Sequence, residues 1–123
     1  MKVISTNNAP AAIGPYSQGI ISGGLFFASG QIAINPATGE IEGEDIVSQT
    51  TQVMKNIGAL LEAAGTDYTR VVKTSCFLAN MEDFATFNEI YASYFTGKPA
   101  RSCVAVKTLP KNVLCEVEVI AEG

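Results

Sequence analysis

The sequence predicts a single α+β domain over residues 1–123, in which a mixed β-sheet of six strands carries two helices on one face. Three observations support this prediction. Short, alternating runs rich in β-branched residues and bounded by turn residues are typical of strands. Two longer segments repeat their apolar residues with the helical period. The order is strand-strand-strand-helix-strand-helix-strand-strand, and single helices that interrupt runs of strands favour a mixed sheet.

The first three predicted strands cover residues 2–5, 19–21 and 25–34. The second and third are joined by Ser22-Gly23-Gly24, which is a turn signal typical of a β-hairpin. The segment Asn35-Pro-Ala-Thr-Gly39 then predicts a tight turn, because asparagine, proline and glycine each favour turn conformations. This hairpin and its flanking turn therefore form the N-terminal part of the sheet.

Two clusters in this region are candidates for a site. The loop before the second strand contains Gly14-Pro-Tyr-Ser-Gln-Gly19, in which Tyr16 is either a half-buried aromatic or a phenol placed over a pocket. The third strand contains Ser29 and Gly30. A glycine inside a strand indicates either a β-bulge or the close approach of another group to the backbone. The sequence leaves both alternatives open.

The first predicted helix covers residues 46–64. Asp45 is a suitable N-cap, and Gly65 suits a left-handed stop directly after the helix. The apolar stripe of this helix consists of Ile46, Val53, Ile57, Leu60, Leu61 and Ala64. We assign the helix no chemistry and expect its stripe to cover one face of the sheet.

The fourth strand, residues 69–79, is the best candidate for a central strand, and a second helix is predicted over 81–95. Asn80 is the expected cap, and Asp83 three residues later resembles a capping box. The apolar stripe of this helix is aromatic, which is typical of core packing, and consists of Phe84, Phe87, Tyr91 and Tyr94. Asn88 either forms a hydrogen bond across an interface or into a pocket, or lies in solvent.

The last two predicted strands cover residues 99–107 and 114–121. We expect them to pair as a hairpin, with Arg101 and Glu116 on the same face of the sheet, the face that the helices leave uncovered. Such a pair would anchor a small anion and move a proton beside it. The alternative is an ion pair on a solvated surface. The nearby positive charge favours an ionised Glu116 whereas burial favours a neutral one, so the protonation state stays open.

Composition restricts the classes of function. Hydrophobic residues make up 47% of the chain and charged residues 16%, so either much of the chain is buried or an apolar face is covered by another subunit, and we favour the second alternative. The net charge is −4 and no run of Lys or Arg occurs, which argues against nucleic acid as a partner. No apolar run approaches the roughly 20 residues of a membrane span, and the N-terminus lacks the shape of a signal peptide. We therefore expect a cytoplasmic protein with no membrane partner.

Histidine is absent and there are three cysteines, Cys76, Cys103 and Cys115. Their odd number, with no C-x-x-C spacing, argues against a disulfide framework and a zinc site. Without histidine, proton transfer falls to carboxylate, tyrosine, lysine or water. Cys103 lies two residues from Arg101 and is either a nucleophile activated by that charge or a buried, unreactive thiol.

Several motifs in order along the chain carry a family resemblance. They are Ala9 to Gly19, Ser29-Gly-Gln-Ile32, Asn35 to Gly39, Asp83 to Asn88, Pro99-Ala-Arg-Ser102, Leu109-Pro110 and Glu116 to Ala121. Together they resemble the YjgF/YER057c/UK114 family, the RidA-type enamine and imine deaminases. The resemblance implies a chorismate-mutase-like α+β fold assembled as a homotrimer, with sites in the clefts between subunits.

The same resemblance implies an activity without a metal or an organic cofactor. This activity is the hydrolysis of 2-aminoacrylate, 2-iminobutyrate and related 2-imino acids to 2-keto acids and ammonia. Two other functions are compatible with the fold. One is a non-catalytic module that binds or senses small keto or amino acids, and the other is an endoribonuclease, which the acidic composition and the missing histidine disfavour.

The resemblance also implies roles for individual residues. Arg101 would bind the substrate carboxylate, and Glu116 would position or activate water. The pocket would be lined by Tyr16, Ser29, Gly30, Asn88 and Cys103, with Phe84 and Phe87 adding to its wall. The sequence departs from the family pattern at the short link 96–99, where Lys98 replaces a usual aromatic at the pocket rim, and at Cys115, which replaces an aliphatic residue.

Overall fold

A computed structural model describes residues 1–123 and contains the predicted elements in the predicted order. The strands are β1 Lys2–Ile4, β2 Gly19–Ser22, β3 Leu25–Ala28, β4 Val71–Leu78, β5 Ala100–Ala105 and β6 Cys115–Glu122, and the helices are α1 Ile46–Ala63 and α2 Phe84–Tyr94. The mixed six-stranded sheet and the α+β class are therefore confirmed. Neither helix combines the length and the apolar character that crossing a membrane requires.

The strand order in the sheet is β1-β2-β3-β6-β4-β5. Strand β6 runs antiparallel to both of its neighbours, whereas β4 and β5 are parallel. The predicted hairpin between the last two strands is wrong, because β4 lies between them. Parallel strands need a crossover, which α2 provides here, and this crossover places β5 on the free edge of β4. Strand β6 then fills the gap between β3 and β4.

The expectation that Arg101 and Glu116 share one face is also wrong. Arg101 is in register with the buried Thr74 of β4, so its side chain lies on the helix side of the sheet. Glu116 alternates with the buried Cys115 and Val117 of β6, so it lies on the opposite side. The face of each residue follows from the strand it pairs with.

Helix α1 begins at Ile46 as predicted and ends at Ala63, one residue before its predicted end. The Asp45 carboxylate accepts a hydrogen bond of 2.8 Å from the backbone N–H of Ser48, and Gly65 follows the helix with a left-handed φ of 78°. The stripe packs on the sheet, where Val53, Ile57 and the neighbouring leucines are inaccessible to solvent. The prediction that this helix covers one face of the sheet is confirmed.

Helix α2 is preceded by a 3-10 turn over Met81–Asp83. The Asn80 side chain caps this turn by accepting a 2.9 Å hydrogen bond from the N–H of Glu82, whereas Asp83 forms no side-chain cap, so the capping box is not present. Phe87 and Tyr91 are buried in the core. The prediction that the aromatic stripe packs in the core is confirmed for these two residues.

Strand β3 is shorter than predicted and ends at Ala28. The chain rejoins the sheet at Gln31, which exchanges backbone hydrogen bonds of 2.8 and 3.1 Å with Val117 of β6. Residues 28–30 therefore oppose only residues 118–119, since Phe27 still pairs with Ile120. The extra residue makes this segment a β-bulge, which is one of the two predicted roles of Gly30.

The face of the sheet opposite the helices has no covering layer within the chain. Apolar side chains lie exposed on it, and Phe27 and Val104 keep 40% and 49% of their surface accessible. The expectation that the helices leave one face of the sheet uncovered is confirmed, and the covering of apolar residues by another subunit stays a prediction.

Candidate active site

A cavity of about 520 Å³ lies beside Glu116. Three loops form its walls, and its lining includes Tyr16, Gly30, Ile32, Pro110 and Glu116. We refer to it as the Glu116 cavity. The loop before β2 supplies Tyr16, the bulge after β3 supplies Gly30, and the turn before β6 supplies Pro110. The sheet therefore places one carboxyl group at the meeting point of three loops.

Gly30 lies directly against the Glu116 carboxyl group. A Cβ atom built on Gly30 would stand 2.1 Å from Oε2 of Glu116, a distance that non-bonded atoms do not reach. The second predicted role of Gly30, close approach of another group, is therefore confirmed together with the bulge. Only glycine leaves room for the carboxyl in this position.

Burial raises the pKa of Glu116, and the negative charge of Glu118 two residues along raises it further. Both effects disfavour the ionised form. A carboxyl whose pKa lies above the usual range of glutamate changes protonation state closer to neutral pH, which suits a group that both accepts and donates a proton.

Ser29 and Tyr16 both line the Glu116 cavity. The Ser29 hydroxyl donates a 2.6 Å hydrogen bond to the carbonyl of Ser17, so it fastens the bulge to the loop before β2. Tyr16 lines the cavity and is 54% exposed, which fits both predicted interpretations, a half-buried loop aromatic and a phenol over a pocket.

Arg101 lies on the other side of the sheet, in a cleft of about 410 Å³ formed with Asn88, Tyr91 and Lys98. We refer to it as the Arg101 cleft. Nη1 of Arg101 donates a 2.6 Å hydrogen bond to Oδ1 of Asn88. The guanidinium carbon lies 4.7 Å from the ring centroid of Tyr91 and 5.5 Å from that of Phe84. These cation–π contacts and the hydrogen bond hold the guanidinium in one orientation.

The Tyr91 ring beneath Arg101 is itself fixed. Its hydroxyl lies 2.8 Å from the Thr74 hydroxyl, a buried pairing between α2 and β4. Sequence reasoning treated Tyr91 as core only. Asn88 and Tyr91 are three residues apart and Phe84 precedes Asn88 by four, so these side chains share one helix face. That spacing was the signal that could have identified the cluster.

Cys103 lies near Arg101 but is not poised as a nucleophile. Its partial burial raises the pKa of the thiol, an effect that the charge of Arg101 offsets only in part. In register beside it on β4, burial raises the pKa of Cys76 to about 12. A thiol with a raised pKa carries little thiolate at neutral pH, so the geometry favours the interpretation of an unreactive cysteine.

Phe87 and Cys115 have no part in either opening. Phe87 is fully buried in the core and lines neither the Arg101 cleft nor the Glu116 cavity. Cys115 is also fully buried, with its sulfur 3.6 Å from the Thr50 hydroxyl of α1. Cys115 is therefore a packing residue.

The chain matches a known protein family over nearly its whole length. The protein family described as Endoribonuclease L-PSP matches residues 6–123 of the chain. The chain belongs to this family. It is the YjgF/RidA family that the sequence motifs indicate, and the likeness to solved members confirms the fold.

Three members of the YjgF/RidA family show how close the match is. A Lactococcus lactis protein named "Putative regulator AldR" is 60% identical and aligns over 99% of this chain and 98% of its own length. The 2-iminobutanoate/2-iminopropanoate deaminase of Escherichia coli is 48% identical over 98% of this chain and 96% of its own. The crystal structure of E. coli TdcF with bound serine has a TM-score of 0.95 and 42% identity, covering 100% of this chain and 99% of that one.

The predicted site residues of this YjgF/RidA member fall into two groups in the structure. The Glu116 cavity brings together Tyr16, Ser29, Gly30 and Glu116. The Arg101 cleft brings together Asn88 and Arg101, with Cys103 nearby on the same strand. Within one chain the sheet separates the two groups. No cluster of three or more histidine, cysteine or acidic side chains forms a potential metal site.

Proposed function

We propose that this protein hydrolyses short 2-enamino and 2-imino acids, including 2-aminoacrylate and 2-iminobutyrate, to 2-keto acids and ammonia. The Arg101 cleft is the observation that carries the proposal. A guanidinium that is fixed by Asn88 and two aromatic rings and that lines an open cleft suits a planar carboxylate. Relatives named as deaminases of reactive intermediates support the same substrate class.

The proposal includes an assembly in which neighbouring copies complete each site. Arg101 and Glu116 lie on opposite sides of the sheet, so a single chain cannot present both to one small substrate. We propose a homotrimer in which the Arg101 cleft of one copy meets the Glu116 cavity of the next. A head-to-tail contact that closes after three copies gives three identical sites. The edge position of β5 and the uncovered apolar face favour such a contact.

In this site Arg101 anchors the substrate carboxylate, a charge-assisted contact that contributes about 1.5–3 kcal/mol and sets the pose. An enamine first becomes a protonated imine when its C3 gains a proton from solvent. Glu116 then takes a proton from water as the oxygen adds to C2, which gives a carbinolamine. Glu116 returns this proton to nitrogen, and as the C–N bond breaks the hydroxyl proton passes to the Glu116 carboxylate, which releases ammonia and the 2-keto acid. The raised pKa of Glu116 suits one group to both steps.

The test is a coupled assay in which threonine dehydratase generates 2-iminobutyrate and formation of 2-ketobutyrate is followed with and without this protein. Arg101→Ala abolishes the acceleration while circular dichroism and thermal unfolding show an intact fold. Arg70→Ala, which removes an exposed arginine outside both cavities, is the matched control and keeps full activity. Unchanged rates in Arg101→Ala would refute the assigned role.

A binding or sensing module is a second candidate function. It is favoured by the name "Putative regulator" of the L. lactis relative and by the serine bound in TdcF. Saturable binding of 2-ketobutyrate or serine without any turnover of 2-iminobutyrate would support it over the deaminase.

An endoribonuclease activity, which the description of the family model names, is a third candidate. We expect neither RNA binding nor cleavage, because the chain carries a net charge of −4 and no histidine. Cleavage of single-stranded RNA by the purified protein, absent in Glu116→Gln, would overturn this expectation.

A further inference from the structure

Helix α1 carries three buried amide side chains on its sheet-facing side. Gln49, Gln52 and Asn56 keep 5%, 8% and 0% of their surface accessible. Their spacing of three and four residues places them on one helix face. Buried amides need hydrogen-bond partners, so the partners show what each amide holds in place.

Asn56 holds the segment that follows the β3 bulge. Its Nδ2 group donates hydrogen bonds of 3.1 Å to the carbonyl of Ile32 and 2.9 Å to the carbonyl of Ile34. Its Oδ1 atom accepts a 2.9 Å hydrogen bond from Nε2 of Gln52, which fixes the orientation of the amide. Both donor hydrogens of Asn56 are therefore committed to the backbone of one short segment.

That segment is one wall of the Glu116 cavity. Ile32 and Ile34 line the cavity, and Gly30 at the start of the segment lies against the Glu116 carboxyl. Gln31, which lies between Gly30 and Ile32, is hydrogen-bonded to the backbone of Val117, the residue next to Glu116. The segment is thus tied to Glu116 at one end and to α1 at the other.

We propose that Asn56 is a positioning residue that sets the distance between the Ile32–Ile34 wall and Glu116, and so selects the size of the substrate side chain. The inference rests on the proposed deaminase function, because it assigns the selectivity of the same site. Ile32 and Ile34 line the same cavity as Glu116, so a substrate whose reacting carbon lies at Glu116 has these two residues within the space open to its side chain. A wall released from α1 admits larger side chains and holds small ones less well.

The test is Asn56→Leu, which keeps a similar volume and removes both donors. The measured quantity is the ratio of kcat/KM for 2-iminobutyrate to that for the larger 2-imino-4-methylpentanoate, each produced by an amino acid oxidase. We expect this ratio to fall by about fivefold or more, since about fivefold is the effect of losing one ordinary hydrogen bond and Asn56→Leu removes two. Loss of folded protein alone lowers both values equally and leaves the ratio unchanged.

Tyr68→Phe is the matched control. Its hydroxyl donates to the carbonyl of Met54, also on α1, and neither residue lines the Glu116 cavity. We expect a loss of stability with an unchanged ratio. If Asn56→Leu fails to fold, Gln52→Leu is the substitute, because it removes only the hydrogen bond that orients Asn56. The ratio should then fall by about twofold, which is less than the effect of losing a full hydrogen bond.

Hydrogen exchange separates this inference from the proposed function. Exchange at the backbone amides of Gln31 and Ile34 should accelerate in Asn56→Leu and not in Tyr68→Phe. An unchanged ratio in a folded Asn56→Leu protein would overturn the inference, as would unchanged exchange. If the wild-type protein shows no deaminase activity, the proposed function fails. The relative affinities for 2-ketobutyrate and 4-methyl-2-ketopentanoate, measured by calorimetry, then decide the inference in the same way.

Discussion

Replacing Gly30 with alanine displaces the Glu116 carboxyl while leaving the backbone free to keep its conformation. Gly30 is not among the residues with positive φ, so alanine is sterically allowed there. The added Cβ would stand 2.1 Å from Oε2, 3.0 Å from Cδ and 3.2 Å from Cγ of Glu116. Ordinary carbon–oxygen contact is well over 3 Å, so the carboxyl must move by about an ångström or more.

A displacement of this size at a reacting group costs about 100-fold in rate. We therefore expect Gly30→Ala to lower kcat for 2-iminobutyrate by about that factor. The free energy of unfolding should change by less than about 1 kcal/mol, because the displaced carboxyl moves towards solvent and no core residue is disturbed. The assay is the coupled formation of 2-ketobutyrate, with urea unfolding as the measure of stability.

A double-mutant cycle with Glu116→Ala shows whether the effect passes through the carboxyl. In the Glu116→Ala background, Gly30→Ala should cause no further loss, because the group it displaces is already gone. Full activity of Gly30→Ala would show that the position of the carboxyl is not critical. A further large loss in the Glu116→Ala background would show that Gly30 acts through another group.

Three further outcomes follow from the two halves of the site. Glu118→Gln should move the acidic limb of the pH–rate profile of kcat/KM to lower pH. The charge of Glu118 raises the pKa of Glu116, so removal of that charge lowers the pKa and Glu116 becomes an active base at lower pH. A shift of the acidic limb to higher pH would contradict this reasoning. Arg101→Ala and Glu116→Ala should each be inactive alone. If neighbouring copies complete each site, the two variants refolded together at equal concentration should regain about a quarter of wild-type activity, because a random quarter of the sites then has both residues. A mixture that has the mass of a trimer by light scattering and recovers no activity would count against composite sites. Cys103→Ser should lose less than about threefold in kcat, since removal of a catalytic group costs far more, and a loss of 100-fold or greater would restore the covalent mechanism.

Local signals in the sequence were sufficient for the elements and their ends. Asp45 and Gly65 are helix signals that act within one turn, so they predict the ends of α1 without knowledge of the rest of the fold. Gly30 could be singled out because glycine inside a strand needs a structural reason. Its partner, the Glu116 carboxyl, could not be named, since the two residues meet only through the pairing of β3 with β6.

The features that local sequence signals did not predict depend on pairings between strands that are distant in the sequence. The face of Arg101 depends on β5 pairing with β4, and that pairing depends on the crossover through α2. Residue alternation alone relates side chains within one strand and leaves the relation between strands undefined. For the same reason the sequence did not single out Asn56, because the hydrogen-bond partners of its amide lie more than twenty residues away in the chain.

The bulge between Phe27 and Gln31 also limits how the length of this segment can vary during evolution. A deletion of one residue there would allow β3 to pair with β6 without interruption, and a longer regular ladder is favourable for stability. The same deletion would remove the glycine surface against which the carboxyl rests. Stability of the sheet therefore favours the deletion, whereas the contact between Gly30 and the Glu116 carboxyl requires the extra residue. Insertions and deletions should be rare here, although irregular backbone elsewhere usually tolerates them.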